Sequence, residues 1–319
     1  MEENKISLII PIYNAREYLE KCLQSAISQK YDNMEFICID DGSTDGAGAI
    51  LDAFAAKDNR IIAVHQENKG ESAARNTGLK LMSGDYYGFL DCDDWIEPDM
   101  YFELINAAKE TDADMAVGGW LKEYETYSQS MPNRRKLDSN ILDRHSLMMC
   151  VYMRDDFQRF AYAWDKLYRR ELAYDKDGEL ILFDTDLSLG GDVVYLAWML
   201  MNSKKAVYVD KEYYHYRQRM DSGCHTENLE RRLDWVHAYE IILELFEKEG
   251  IEEDILLWVR RFMAYHCSNV AEIAFQQKRE FTLEYCKEKM RRYRDEYIQT
   301  NATYPERIQR YDRILKWQV

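Results

Sequence analysis

Over its first 120 residues the chain alternates short apolar runs with helical patterns, and few architectures accommodate that order. "ISLIIPIY" (6–13) is a compact apolar run, and "AREYLEKCLQSAISQ" (15–29) then sets Tyr18, Leu19, Cys22, Leu23, Ala26 and Ile27 at helical spacing. "EFICID" (35–40) reads as a second strand and leads into "DGSTDG" (41–46), a turn cluster that supplies helix N-caps. The cycle repeats with a strand at 61–66, a helix at 70–84, a strand at 86–91, a helix at 98–110 and a strand at 113–120. Such strand–helix repeats predict a mostly parallel central sheet covered on both faces, so the fold class is α/β. In sheets of this kind ligands bind beyond the carboxyl ends of the strands. Two acidic loops, 40–45 and 91–94, fall at such ends.

Beyond residue 120 the pattern loosens. Helices are expected at 143–153, 160–172 and 190–203, and two short strands within 205–219. From about 228 onward the sequence is nearly all helical. This divides the chain into 1–225, with a first half at 1–120 and a second at 121–225, and a C-terminal α-helical region at 226–319.

A net charge of −16 argues against non-specific binding of nucleic acid or anionic lipid by the bulk surface, with "RRYR" (291–294) the nearest local basic patch. The seven cysteines are scattered and contain no C-x-x-C pair, which argues against zinc and fits a reducing compartment. The longest apolar run, 193–201, is about half the ~20 residues that span a bilayer. A cytoplasmic protein is expected, with docking at the inner face of a membrane left open. The aromatics of the C-terminal helices read as core first, and as a surface for homo-oligomers second.

"YYGFLDCDDW" (86–95) carries the clearest chemistry. Asp91, Asp93 and Asp94 crowd like charges against apolar flanks, which is costly unless something compensates. Closely spaced carboxylates without histidine or cysteine pairing form a hard oxygen site suited to Mg²⁺ or Mn²⁺. The competing reading is an acidic turn that caps the helix beginning at Pro98. Likewise Ser43, Thr44 and Asp45 suit helix capping, while a carboxylate on that loop can accept from a nucleobase N–H or a ribose hydroxyl. Tyr13 offers a flat face to a base, or simply packs. There is no phosphate-binding glycine loop, no dinucleotide fingerprint and no serine elbow.

These motifs, "SLIIPIYNAREYLEKCLQSAISQ", "EFICIDDGSTDG" and "NKGESAARNTGLKLMSGDYYGFLDCDDW", together resemble the family 2 glycosyltransferases of the GT-A fold, the Rossmann-like nucleotide-diphospho-sugar transferase fold. The likeness runs through residues 5–120, and "WDKLYRREL", "GGDVVYLAWML" and "YHYRQR" resemble acceptor-side segments of bacterial polysaccharide members. It implies an inverting, metal-dependent transfer from a nucleotide-diphospho-sugar, usually UDP-linked, to a hydroxyl of a glycan or lipid-linked glycan. By the resemblance, Pro11 and Tyr13 cradle the nucleoside, Asp41 meets the base, and Arg75 and Asn76 line the donor pocket. Asp91 meets the ribose and metal, Cys92 lies beside it in the donor site, and Asp93 holds the metal with Asp94 close behind. The family's catalytic base lies in a Glu-Asp pair. Here Gly191 replaces the Glu, and Asp192 is the expected base, with Asp184 and Asp186 as substitutes. His215 or His225 is the candidate third metal ligand. Two other functions compete: a degenerate protein that binds a nucleotide sugar or glycan without turnover, supported by Gly191, and a nucleotidyltransferase, disfavoured because "PIYNAREY" is no glycine-rich basic loop.

Overall fold

A computed structural model describes residues 4–133, 135–153, 156, 160, 162–219 and 228–318. The chain divides into two compact units. The first comprises residues 1–185 and 195–219, and the second residues 186–194 and 220–319.

The first unit is built on one mixed sheet. Its early strands are β1 (Ile6–Ile12), β2 (Met34–Asp40), β3 (Ile61–His65) and β4 (Tyr86–Phe89). Between them run helices α1 (Arg16–Ile27), α2 (Ala47–Ala55) and α3 (Glu71–Leu81). These four strands are parallel in the order β3-β2-β1-β4. Every residue of β1 and β2 is buried, as strands covered on both faces must be. Pro11 lies two residues past the last β1–β4 pair, Ile9 with Phe89, so its missing N–H takes nothing from that ladder.

The sheet continues through β5 (Trp95–Ile96), helix α4 (Met100–Thr111), β6 (Met115–Glu123), β7 (Ser128–Ser130), β8 (Ile141–Asp143) and helix α5 (Arg144–Tyr152). It is completed by β9 (Lys166–Arg169), helix α6 (Gly191–Asn202) and β10 (Lys205–Arg217). The full order is β3-β2-β1-β4-β9-β6-β10-β5, with β7 on β6 and β8 on β10.

Two expectations are corrected here. The span 160–172 is not a helix: it holds β9 and a single 3₁₀ turn at Arg170–Ala173. Lys166, Leu167 and Tyr168 are all buried because β9 is inserted antiparallel between β4 and β6, and burial on both faces erases the alternation that marks a strand. The span 205–219 is not two strands but the single long β10, whose register to β6 slips between Tyr208 and Tyr214.

The second unit is helical: α7 (Leu229–Lys248), α8 (Glu253–Gln276), α9 (Glu280–Arg292), α10 (Arg294–Thr300) and α11 (Pro305–Ile314). Asn228 caps α7, accepting from the Arg231 N–H at 3.1 Å. Tyr239, Tyr297 and Tyr311 are fully buried, which makes these aromatics core. Among the described residues no helix is long and apolar enough to cross a membrane.

Candidate active site

The carboxyl ends of β1, β2 and β4 carry the candidate residues. The loop after β1 and the loop after β2 zip together through side chains. Asn14, at φ +48°, accepts from the Thr44 N–H at 2.8 Å and donates its own N–H to Ser43 Oγ at 3.0 Å. Asp45 accepts from the Arg16 N–H at 2.8 Å. Tyr13 stands on this rim with 52% of its surface exposed, so its ring is available for stacking.

Asp41 behaves differently from the expectation that it faces a base. It is buried, with Oδ1 accepting from Gln66 Nε2 at 2.7 Å and the Lys69 N–H at 3.0 Å, and Oδ2 accepting from the Gly70 N–H at 2.8 Å. Its carboxylate is spent on fixing the loop between β3 and α3. Asn76 is also buried. Its amide pairs with the Phe183 backbone in both directions, donating to the carbonyl at 2.9 Å and accepting from the N–H at 2.7 Å. That clamp fixes the segment carrying Asp184.

The acid loop follows β4. Arg75, one turn into α3, donates to Asp91 Oδ1 at 2.8 Å and to Glu71, and its guanidinium lies 5.4 Å over the Phe183 ring. Burial pushes the Asp91 carboxyl up to about 7, against the downward pull of Arg75. Asp93 is likewise raised by burial, opposed by Arg219, whose Nε lies 3.1 Å from Oδ2. Cys92 lies between them, its thiol raised by burial. Asp94 is 1% exposed and serves the frame: Oδ2 accepts from the Tyr214 hydroxyl at 2.8 Å and Oδ1 from the Arg217 N–H at 2.7 Å. Each oxygen accepts one hydrogen bond from β10, so the carboxylate is anchored to the frame. His215 is anchored too. Nδ1 meets Glu123 at 2.7 Å, Nε2 meets Glu97 at 2.8 Å, and the ring stacks on Trp95. His225 lies outside the described residues.

Asp91 and Asp93 are the acids of this loop that stay partly open to solvent. Each keeps about a fifth of its side chain exposed, 21% and 22%. Among the described residues no three His, Cys, Asp or Glu side chains form a closed metal cage. Two are enough for Mg²⁺ or Mn²⁺, which bind through one or two carboxylates and leave positions for substrate phosphates. Burial raises both acids toward the neutral form, and a divalent cation bound between them would offset that cost, so the donor set fits such an ion.

Sequence reasoning missed the contribution of β10. Tyr214 and Arg217, with Arg219 two residues past the strand, brace the acid loop from about 120 residues away, and Arg217 Nε also donates to the Asp93 carbonyl at 2.8 Å. The motif "YYHYRQR" reads as a strand, and nothing local in it names the loop it will meet.

Asp192 lies in the second unit, in the first turn of α6. Asp184 lies in the first unit, and Asp186 opens the 186–194 segment of the second.

The description "Glycosyl transferase family 2" matches residues 7–175, more than half of the chain. The chain belongs to glycosyl transferase family 2. Among its family 2 relatives, glycosyltransferase GlyA of Streptococcus pneumoniae is 39% identical over 244 residues, 74% of this chain. That match spans only 33% of the relative's length. The fold is shared with S. aureus TarS 1–349 in complex with UDP-GlcNAc, at TM-score 0.63 and 18% identity over 95% of this chain and 92% of that one. It is shared as well with the mannosyltransferase PcManGT of Pyrobaculum calidifontis in complex with GDP-Man and Mn²⁺, at TM-score 0.54 and 15% identity over 95% and 87%.

Proposed function

We propose that this chain transfers a sugar from a nucleotide-diphospho-sugar, a UDP-sugar by preference, to a hydroxyl of a glycan or lipid-linked glycan acceptor, inverting the anomeric centre. The observation that carries the reading is the loop after β4. It presents two carboxylates raised by burial, Asp91 and Asp93, each beside an arginine. Family membership supports it, as do the ligands of the two fold neighbours.

Asp91 and Asp93 would hold Mn²⁺ or Mg²⁺, which when bound supplies positive charge for the leaving diphosphate. The chain's own residues do the rest. Tyr13 gives its exposed ring to the nucleobase. Pro11 shapes the end of β1 behind that rim. Asp41 acts at one remove, by holding the 66–70 loop. Arg75 and Arg219 keep the two acids oriented, and Arg219 adds a cation close to where negative charge grows. Asp192 accepts the proton of the attacking hydroxyl, a role typically worth ~10²–10⁴ in rate.

UDP release from UDP-Glc, UDP-Gal, UDP-GlcNAc and UDP-GalNAc, measured with Mn²⁺, tests the reading. Asp93→Ala is expected to abolish the Mn²⁺-dependent rise in melting temperature that UDP produces, because only the native state binds the pair. Asp192→Asn is expected to keep that rise and lose turnover by at least tenfold. Gly191, at the place where the resemblance implies a glutamate, favours a second reading, binding without turnover. Nucleotide-sugar binding by a wild-type protein that releases no UDP would establish that reading instead.

A further inference from the structure

We infer that the C-terminal helices take part in turnover, because α7 holds the Gly190–Asp192 turn and thereby aims Asp192. The inference rests on the reading of Asp192 as proton acceptor given above.

Residues 186–194 pack with α7–α11 into one unit, although about 35 residues of chain separate them. Three contacts fix them there. The Ser188 N–H and hydroxyl both donate to Asp234 Oδ2 on α7, at 2.8 and 2.5 Å. Leu187 and Leu189 are buried on either side of exposed Ser188, so the segment is pinned by alternate side chains. Gly190 then lies directly on α7. A Cβ there would stand 2.9 Å from the Ala238 Cβ and 3.3 Å from Trp235 Cε3, and φ is +85°. Only glycine meets both conditions without strain.

The surface under the turn is itself stiff. Trp235 stacks on His266 of α8, with ring centroids 5.0 Å apart and planes at 9°. His266 also stacks on Tyr239, at 5.1 Å and 23°. The Gly190 carbonyl accepts the Val194 N–H at 3.3 Å, so α6 starts from this turn. Asp192 is two residues after Gly190, so the backbone it projects from is set by where Gly190 rests. Asp234 and Trp235 are thus positioning residues. They have no part in gripping the donor, so their loss should leave donor affinity alone. A misplacement of about 1 Å in a reacting group costs ~10²-fold.

The test is steady-state UDP release with Mn²⁺ from the four UDP-sugars named above, with UDP–Mn²⁺ binding followed by thermal shift. Gly190→Ala and Trp235→Ala are expected to lower kcat by ~10–100-fold while donor KM stays within about twofold. Trp235→Phe, which keeps a flat ring against His266, is expected to recover most of the loss. Asp234→Ala, at a partly exposed position, removes no core side chain and is expected to lower kcat severalfold, so it serves where the other variants fail to fold. Unchanged kcat in folded Gly190→Ala and Asp234→Ala overturns the inference, and so does a parallel loss of UDP binding. Full turnover in Asp192→Asn, with Gly190→Ala impaired, refutes the role of Asp192 rather than the contact. Absence of UDP release from the wild type refutes transfer itself.

Discussion

Replacing Asp41 by alanine separates two jobs that one carboxylate could hold. The carboxylate accepts from Gln66 Nε2, the Lys69 N–H and the Gly70 N–H at 2.7, 3.0 and 2.8 Å. Hydrogen bonds to a charged group are worth about 1.5–3 kcal/mol each where the donors stay dry. Lys69 and Gly70 are exposed, so water replaces part of what they lose. A value near 1 kcal/mol for each of the three bonds gives a total of about 3 kcal/mol. For a unit of this size each kcal/mol moves the melting temperature by roughly 2–4 °C, so the expected fall is about 6–12 °C. Differential scanning calorimetry at pH 7 reads it, with UDP–Mn²⁺ titration of the same sample alongside. A melting temperature within about 1 °C of wild type, coupled to a lost response to UDP, would refute the framing role and put the carboxylate on the nucleotide.

Asn76→Ala should cost about 2–4 kcal/mol, because it strands a buried donor and a buried acceptor of Phe183; urea unfolding measures it. The His65–Asp40 pair makes stability depend on pH on two sides. His65 is raised above 6.5 by its hydrogen bond to Asp40, so its contribution is full below pH 6.5 and lost as pH rises through its folded value. For Asp40 burial pushes up, but hydrogen bonds from Ser43 and His65 prevail and the carboxyl is lowered below 3.8. Its contribution is therefore present above pH 3.8 and lost as pH falls further. Melting temperatures across pH 5–9 should decline on the alkaline side in the wild type and flatten there in His65→Gln; equal slopes would count against the pair.

The parallel half of the sheet was legible because each strand is a buried apolar run followed by an amphipathic helix, a pattern that survives in the sequence. β9 was not, because an antiparallel strand buried on both faces between β4 and β6 shows no alternation and its apolar spacing imitates a helix. The acid loop was visible as a motif, but the division of labour within it was not. Asp94 and Asp93 look alike in sequence, and only Tyr214 and the Arg217 backbone, reached through β10, assign one to the frame. The bonds of Asp41 and Asn76 were hidden for the same reason. Their partners lie 25 to 107 residues away, and a side chain's job is decided by what it meets.

The strand β10 runs from Lys205, paired with β8, to Arg217 at the acid loop. Its far end delivers the clasp for aspartates that a ribosome finishes more than a hundred residues sooner. Until that clasp emerges, Arg75 can pair with Asp91, but Asp93 and Asp94 have neither the tyrosine nor the arginines that steady them. Contacts this distant along the chain form slowly. Competence to grip a phosphorylated ligand therefore arrives late in synthesis, and a product stopped short of Arg217 would have the motif and lack the grip.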